Sequence, residues 1–219
     1  MIDHDQLFKE LLTTFFTDFL ELFFPELARD LDRQSLSFLD KELFSDVLSG
    51  EAFEADLVVR SRFREQDSFF LIHVEHQAQT QVDFGRRMYV YFALLYLKFG
   101  LPIYPIALFS HGSARPERET FEIEFPGFNV LKFQFRAIQL SRLNWRDFMR
   151  TSNPVASALM SRMGMSPQER PRVKLECLRL LSTLKLDPAR MRFISGFVDT
   201  YLQLSAQEAL QFQQEADSL

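Results

Sequence analysis

Between residues 53 and 110 the chain reads strand, strand, helix, strand, and this order restricts the fold more than any other feature. The segments FEADLVVRSRF (53–63) and SFFLIHVEHQ (68–77) are rich in β-branched and aromatic residues and flank the polar turn REQD, as a hairpin does. Residues 82–99 are amphipathic at a helical repeat, with Gly100 and then Pro102 as C-terminal punctuation. PIYPIALFS (102–110) is short, apolar and bounded by turn residues, which suits a buried strand laid down after a crossover helix. The chain therefore belongs to the α/β class.

Upstream, HDQLFKELLTTFFTDFLELFFPEL carries apolar pairs at a helical repeat, from Leu7 and Phe8 to Phe23 and Phe24. One long helix is expected, with Asp3 or Asp5 as N-cap and Pro25 at its exit. A weaker strand signal covers residues 35–44, followed by the turn-like SDVLSGE, so the expected order is αβββαβ. Downstream, FEIEF and LKFQFRAIQL alternate as two further strands separated by Pro126 and Gly127. From Asn144 the pattern turns helical, giving a first domain over residues 1–143 and a helical extension over 144–219.

Phenylalanine supplies 25 of the 219 residues, so the core should be built from rings that need no polar partner. The longest apolar stretch, 89–100, is too short to cross a bilayer, which argues against a membrane protein. One cysteine and the lack of a secretory n-region make a reducing cytoplasm the expected compartment. With a net charge of -5, a nucleic-acid partner must be met by a local patch.

The strand 68–77 starts apolar and ends in charge, with Glu75 and Gln77 on one face. A tight hairpin centred between Glu65 and Gln66 sets Asp56 opposite Glu75. Like charges so placed repel unless one is protonated or a cation lies between them. Two carboxylates, completed by water and a substrate phosphate, suit Mg²⁺ or Mn²⁺. The same parity puts Glu54, Arg60, Arg62 and Arg64 on the face of Asp56, and His73 and Gln77 on that of Glu75. Guanidinium groups around a metal-binding acid pair are expected where a phosphodiester is held, and Arg86 and Arg87 would add phosphate contacts at the start of the next helix. The spacing equally admits two solvated acids at strand ends, balanced by the arginines.

ADLVV, FFLIHVEHQAQ, FGRRMYVYFALLY and LPIYPIALFS, preceded by HDQLFKELL, resemble the Rpn (YhgA-like) family of recombination-promoting nucleases and transposase-like proteins. This family is a branch of the PD-(D/E)xK nuclease superfamily, and the likeness covers roughly residues 4–110. The resemblance implies a mixed central sheet flanked by helices and a metal-dependent DNA endonuclease. It matches Asp56 and Glu75 to the superfamily's acids, Asp5 and Lys9 to the family's opening Asp and Lys, and Arg87 and Tyr91 to an Arg and Tyr on the crossover helix. The position that is usually lysine is Gln77, which hydrogen-bonds but carries no charge. Lys9 could supply the missing ammonium if the first helix packs beside the sheet, and Glu10 a further carboxylate.

Other motifs fall away. HVEH lacks the Pro-Cys-x-x-Cys that a zinc deaminase requires, and His73 and His76 lie on opposite strand faces, so they cannot chelate one zinc together. FSHGSAR reads as a turn rather than a nucleophile elbow, and Cys177 as a small buried side chain. The sequence thus predicts an endonuclease with Asp56 and Glu75 on the metal, Gln77 and Lys9 assisting, and Arg86 and Arg87 on DNA. Its rival is a catalytically inactive nuclease-fold module for binding or assembly; a homo-oligomer is open in either case.

Overall fold

The computed structural model of the protein describes residues 4–39, 55–64, 66, 69–79, 83–112 and 115–217. The chain forms two units, Met1–Lys9 with Glu26–Gln139, and Glu10–Pro25 with Leu140–Leu219. Residues 10–25, which the sequence places in a domain of residues 1–143, group with the helical unit.

The expected long N-terminal helix is three: α1 (His4–Thr14), α2 (Phe16–Phe23) and α3 (Pro25–Asp30). Phe15 leaves helical geometry at φ -124 and ψ 37, just after the β-branched pair Thr13 and Thr14, which are weak helix formers. Pro25 cannot extend α2 but suits the first position of a new helix.

In the first unit, β1 (Ser37–Phe38), β2 (Leu57–Arg62) and β3 (Phe69–Gln77) form an antiparallel meander. The β2–β3 register is the expected one, with Leu57 opposite Val74 and Val58 opposite His73. The crossover helix α4 (Phe84–Phe99) ends on Gly100, whose φ of 62 a glycine adopts without strain. It leads to β4 (Ile103–Phe109), parallel to β3. Pro105 is tolerated there because the next strand joins β4 only from Ile106 onward. Of the expected strand over residues 35–44, only Ser37–Phe38 forms β1; residues 40–44 and the turn SDVLSGE lie outside the described residues.

LKFQFRAIQL, expected as one strand, is divided. The alternation of apolar residues runs on without a gap, so periodicity carries no sign of the break at Phe135. On one side β5 (Thr120–Phe125) and β6 (Phe128–Gln134) form a separate hairpin; on the other β7 (Arg136–Gln139) runs parallel to β4. The main sheet is mixed and five-stranded, in the order β1-β2-β3-β4-β7, so the fold is α/β.

Alternate residues of β3 face different helices. Leu71 packs with Leu94 and Leu95 of α4, and the His73 ring meets Tyr91 edge-on at 5.4 Å. His76, of opposite parity, stacks on Phe8 of α1 with ring centroids 3.9 Å apart. The charged end of β3 is thereby enclosed by both helices.

The second unit contains α5 (Pro154–Leu159), α6 (Arg170–Thr183), α7 (Pro188–Tyr201) and α8 (Ala206–Asp217). Asn153 caps α5 by accepting from Val155 N and Ala156 N, and its Nδ2 donates to Asp18 O at 2.8 Å, joining α5 to α2. Cys177 is fully buried, and burial pushes its thiol pKa well up, so it is an unreactive packing group. No helix among the described residues is long and apolar enough to cross a membrane.

Candidate functional site

Asp56 and Glu75 meet where β2 begins and β3 ends. The Asp56 N–H donates to Glu75 Oε1 at 2.9 Å, and the His76 N–H donates to Asp56 Oδ2 at 2.8 Å. The first contact continues the hairpin register one step past Leu57 and Val74. Both acids are buried, Glu75 completely and Asp56 to 6% exposure, so each needs partners.

Two cations arrive from the helices. Lys9 Nζ lies 2.9 Å from Asp56 Oδ1, and Arg87 Nη2 donates to Glu75 Oε2 at 2.9 Å. The arginines of β2 do not contribute as expected. Arg60 sits 4.1 Å over the Phe69 ring, Arg62 pairs with Asp32 at 3.0 Å, and Arg64 donates to Leu31 O. A strand advances about 3.3 Å per residue, which carries Arg60 roughly 13 Å beyond Asp56. Glu54 lies outside the described residues, and Glu10 is exposed on the helical unit's share of α1.

His73 Nε2 is 2.8 Å from Glu75 Oε1. A carboxylate only accepts, so the ring proton is assigned to Nε2; Nδ1 is buried and has no hydrogen-bond partner among the described residues. On the other sheet face, His76 Nδ1 lies 3.0 Å from Asp5 Oδ1 and its Nε2 2.7 Å from Ser110 Oγ. Those two partners and the Phe8 ring fix His76 among α1, β3 and the end of β4. Asp5 is also 3.6 Å from Lys9 Nζ, so the network that anchors His76 extends to the ammonium beside Asp56.

Burial, and after it the charge of Glu75, pushes the Asp56 carboxyl above its usual range, although Lys9 and the His76 N–H pull it down. Lys9 and the His76 N–H thus do not fully offset the effect of burial on Asp56. The hydrogen bond from His76 holds Asp5 below the ordinary carboxylate range against the opposing effect of burial. Burial, then the Glu75 charge, raises the Tyr91 phenol, whose ring lies 5.3 Å below the Arg87 guanidinium.

A carboxylate has about four lone-pair positions. Asp56 uses two, for Lys9 and the His76 N–H, and Glu75 three, for Asp56 N–H, His73 and Arg87. Each acid therefore keeps acceptor capacity. No group of three or more His, Cys, Asp or Glu among the described residues is placed to hold an ion, so a metal here would rest on two protein ligands.

The structure brings together Lys9, Asp56, Glu75 and Arg87 of the residues singled out by sequence. Gln77 shares the strand face of Glu75, but its Nε2 donates to Gln79 O at 2.6 Å. Arg86 is exposed and faces a cavity on another side of α4. Sequence reasoning does not reach Ser110. It is far from Asp5 and His76 along the chain, and only the parallel pairing of Gln77 with Phe109 brings it near. No protein-family model matches the chain, and neither a curated protein nor a solved structure shows significant similarity to it.

Proposed function

We propose that this protein is a metal-dependent DNA endonuclease of the recombination-promoting nuclease type, built on a PD-(D/E)xK-like core. The observation that carries this reading is the burial of Asp56 and Glu75 side by side, each with a cation from a different helix. Buried ion pairs are no better for stability than apolar packing, so such a cluster at strand ends points to chemistry.

The donor set fits Mg²⁺ or Mn²⁺. Mg²⁺ is commonly held by one or two carboxylates together with water and substrate phosphate, whereas a zinc or calcium site draws more ligands from the protein. Burial first, and the neighbouring Glu75 charge second, raise the Asp56 pKa, and a divalent cation at the pair would favour the ionised form against both. Asp56 and Glu75 would hold the ion, which supplies a Lewis acid able to activate water and offset phosphate charge.

The chain's own residues do the positioning. His73 and Arg87 fix the two oxygens of Glu75, and the His76 N–H fixes Asp56. Lys9 brings the ammonium that the superfamily usually carries at the position of Gln77, and steadies developing charge on the phosphate. Gln77 acts through its amide oxygen as a hydrogen-bond acceptor for the attacking water, its Nε2 being committed to Gln79.

One observation favours the second reading, an inactive nuclease-fold module. All four carboxylate oxygens already have a protein partner. Conversion of supercoiled plasmid to nicked circle separates the two. The endonuclease reading expects conversion with Mg²⁺ or Mn²⁺, lost in Asp56→Asn and in Glu75→Gln; an inert wild-type protein under both ions would leave the binding module.

A further inference from the structure

We propose that a cavity beside the first turn of α4 is a phosphate-binding subsite for a nucleic-acid strand, with Arg86, Arg115 and Arg118 as its cations. The identity of the strand rests on the nuclease reading; the subsite itself rests on the charge and shape of the cavity.

The cavity measures about 410 Å³ and lies between α4 and the segment leading into β5. Three arginines line it, Arg86 from the helix and Arg115 and Arg118 from that segment. Among the described residues, neither the Arg86 nor the Arg118 side chain has a hydrogen-bonding or ion-pair partner. Its acids, Asp83 and Glu117, are fewer, and Glu117 Oε1 lies 3.5 Å from His111 Nε2. Like charges around one concavity repel, and a bound anion relieves that repulsion.

The cavity's walls are held close by a glycine. A Cβ at Gly85 would come within 2.9 Å of Thr120 O, so a side chain there would push the start of β5 away from the helix. Asp83 enters α4 at φ 65 without a side-chain cap, so the first-turn amides add positive potential to that of the arginines.

A phosphodiester strand fits better than an isolated anion because of the neighbouring residue. Arg87 reaches Glu75, while Arg86, turned about 100° around the helix, faces the cavity. One helical turn thus connects the acid pair to a set of phosphate-binding groups.

The test is anisotropy of a fluorescent DNA duplex titrated with the full chain in EDTA at several salt concentrations, with no cleavage needed. We expect Arg86→Ala/Arg118→Ala to weaken binding about tenfold or more at low salt and to lower the slope of log affinity against log salt by about 2. Arg86→Lys/Arg118→Lys should keep the slope because it keeps the charge. Lys98→Ala, at the far end of α4, should bind as wild type. Wild-type affinity and slope in the double alanine variant would overturn the subsite, even with plasmid nicking intact. Loss of binding in that variant supports the subsite, even if the wild type never nicks DNA. A wild-type protein that does not bind the duplex overturns it as well.

Discussion

The backbone N–H of Asp56 donates to Glu75 Oε1 over 2.9 Å, so the main chain of one strand grips the side chain of the next. This contact places two buried acids at the end of a hairpin and leaves their remaining oxygens to Lys9, His76 and Arg87. The consequences for stability and for cleavage differ from residue to residue.

Lys9 touches both Asp5 and Asp56 and is the only ammonium at the acid pair among the described residues. If it stabilises charge on the phosphate, Lys9→Met should lower the plasmid-nicking rate by about 10²-fold or more, the usual effect of losing one such group. Lys9→Arg should retain part of the rate. Initial rates at fixed Mg²⁺ give the comparison, and circular dichroism shows whether the fold is kept.

Arg87 is 31% exposed while Glu75 is fully buried. Removing the arginine leaves a buried carboxylate oxygen without its cation, so Arg87→Ala should destabilise the protein by about 3 kcal/mol. Neutralising the stranded acid should restore part of this. Arg87→Ala/Glu75→Gln is therefore expected to be more stable than Arg87→Ala by about 1 kcal/mol, a difference that urea unfolding of the two variants measures.

In the second unit, Glu169 accepts from the Ser166 N–H and hydroxyl in a capping box and also pairs with Arg146. The Ser166 N–H, then Arg146, then the Ser166 hydroxyl lower its pKa from 4.5 to about 2. A depressed carboxyl stabilises the folded state above its unfolded value and loses that contribution as pH falls through its folded value. Stability should decline between about pH 4.5 and 2, and Glu169→Gln should flatten that decline. The Glu169 side chain is half-buried at 27% exposure, so added salt should still shrink the difference. Thermal unfolding at stepped pH provides the readout.

The hairpin and its register were legible because a polar turn lies midway between two strands of unequal polarity, which leaves one pairing that sets Asp56 against Glu75. The crossover helix was legible from its Gly100 and Pro102 punctuation. Other features lack a local signal. Phe15 breaks the first helix without any change in the apolar pattern, and Phe135 separates two strands that share one alternation. The arginines of β2 have the parity of Asp56 but not its position along the strand, since periodicity reports a face and not a distance. The contacts of His76 with Asp5, Phe8 and Ser110 join three elements, and only their packing reveals them.

Calorimetric titration of the full chain with Mn²⁺ tests most directly whether Asp56 and Glu75 act as one ion-binding pair. Saturable binding of one ion to the wild type is predicted, with Asp56→Asn and Glu75→Gln each abolishing it while both variants stay folded. Binding that survives in both variants, or a wild type that takes up no ion, would contradict the pairing.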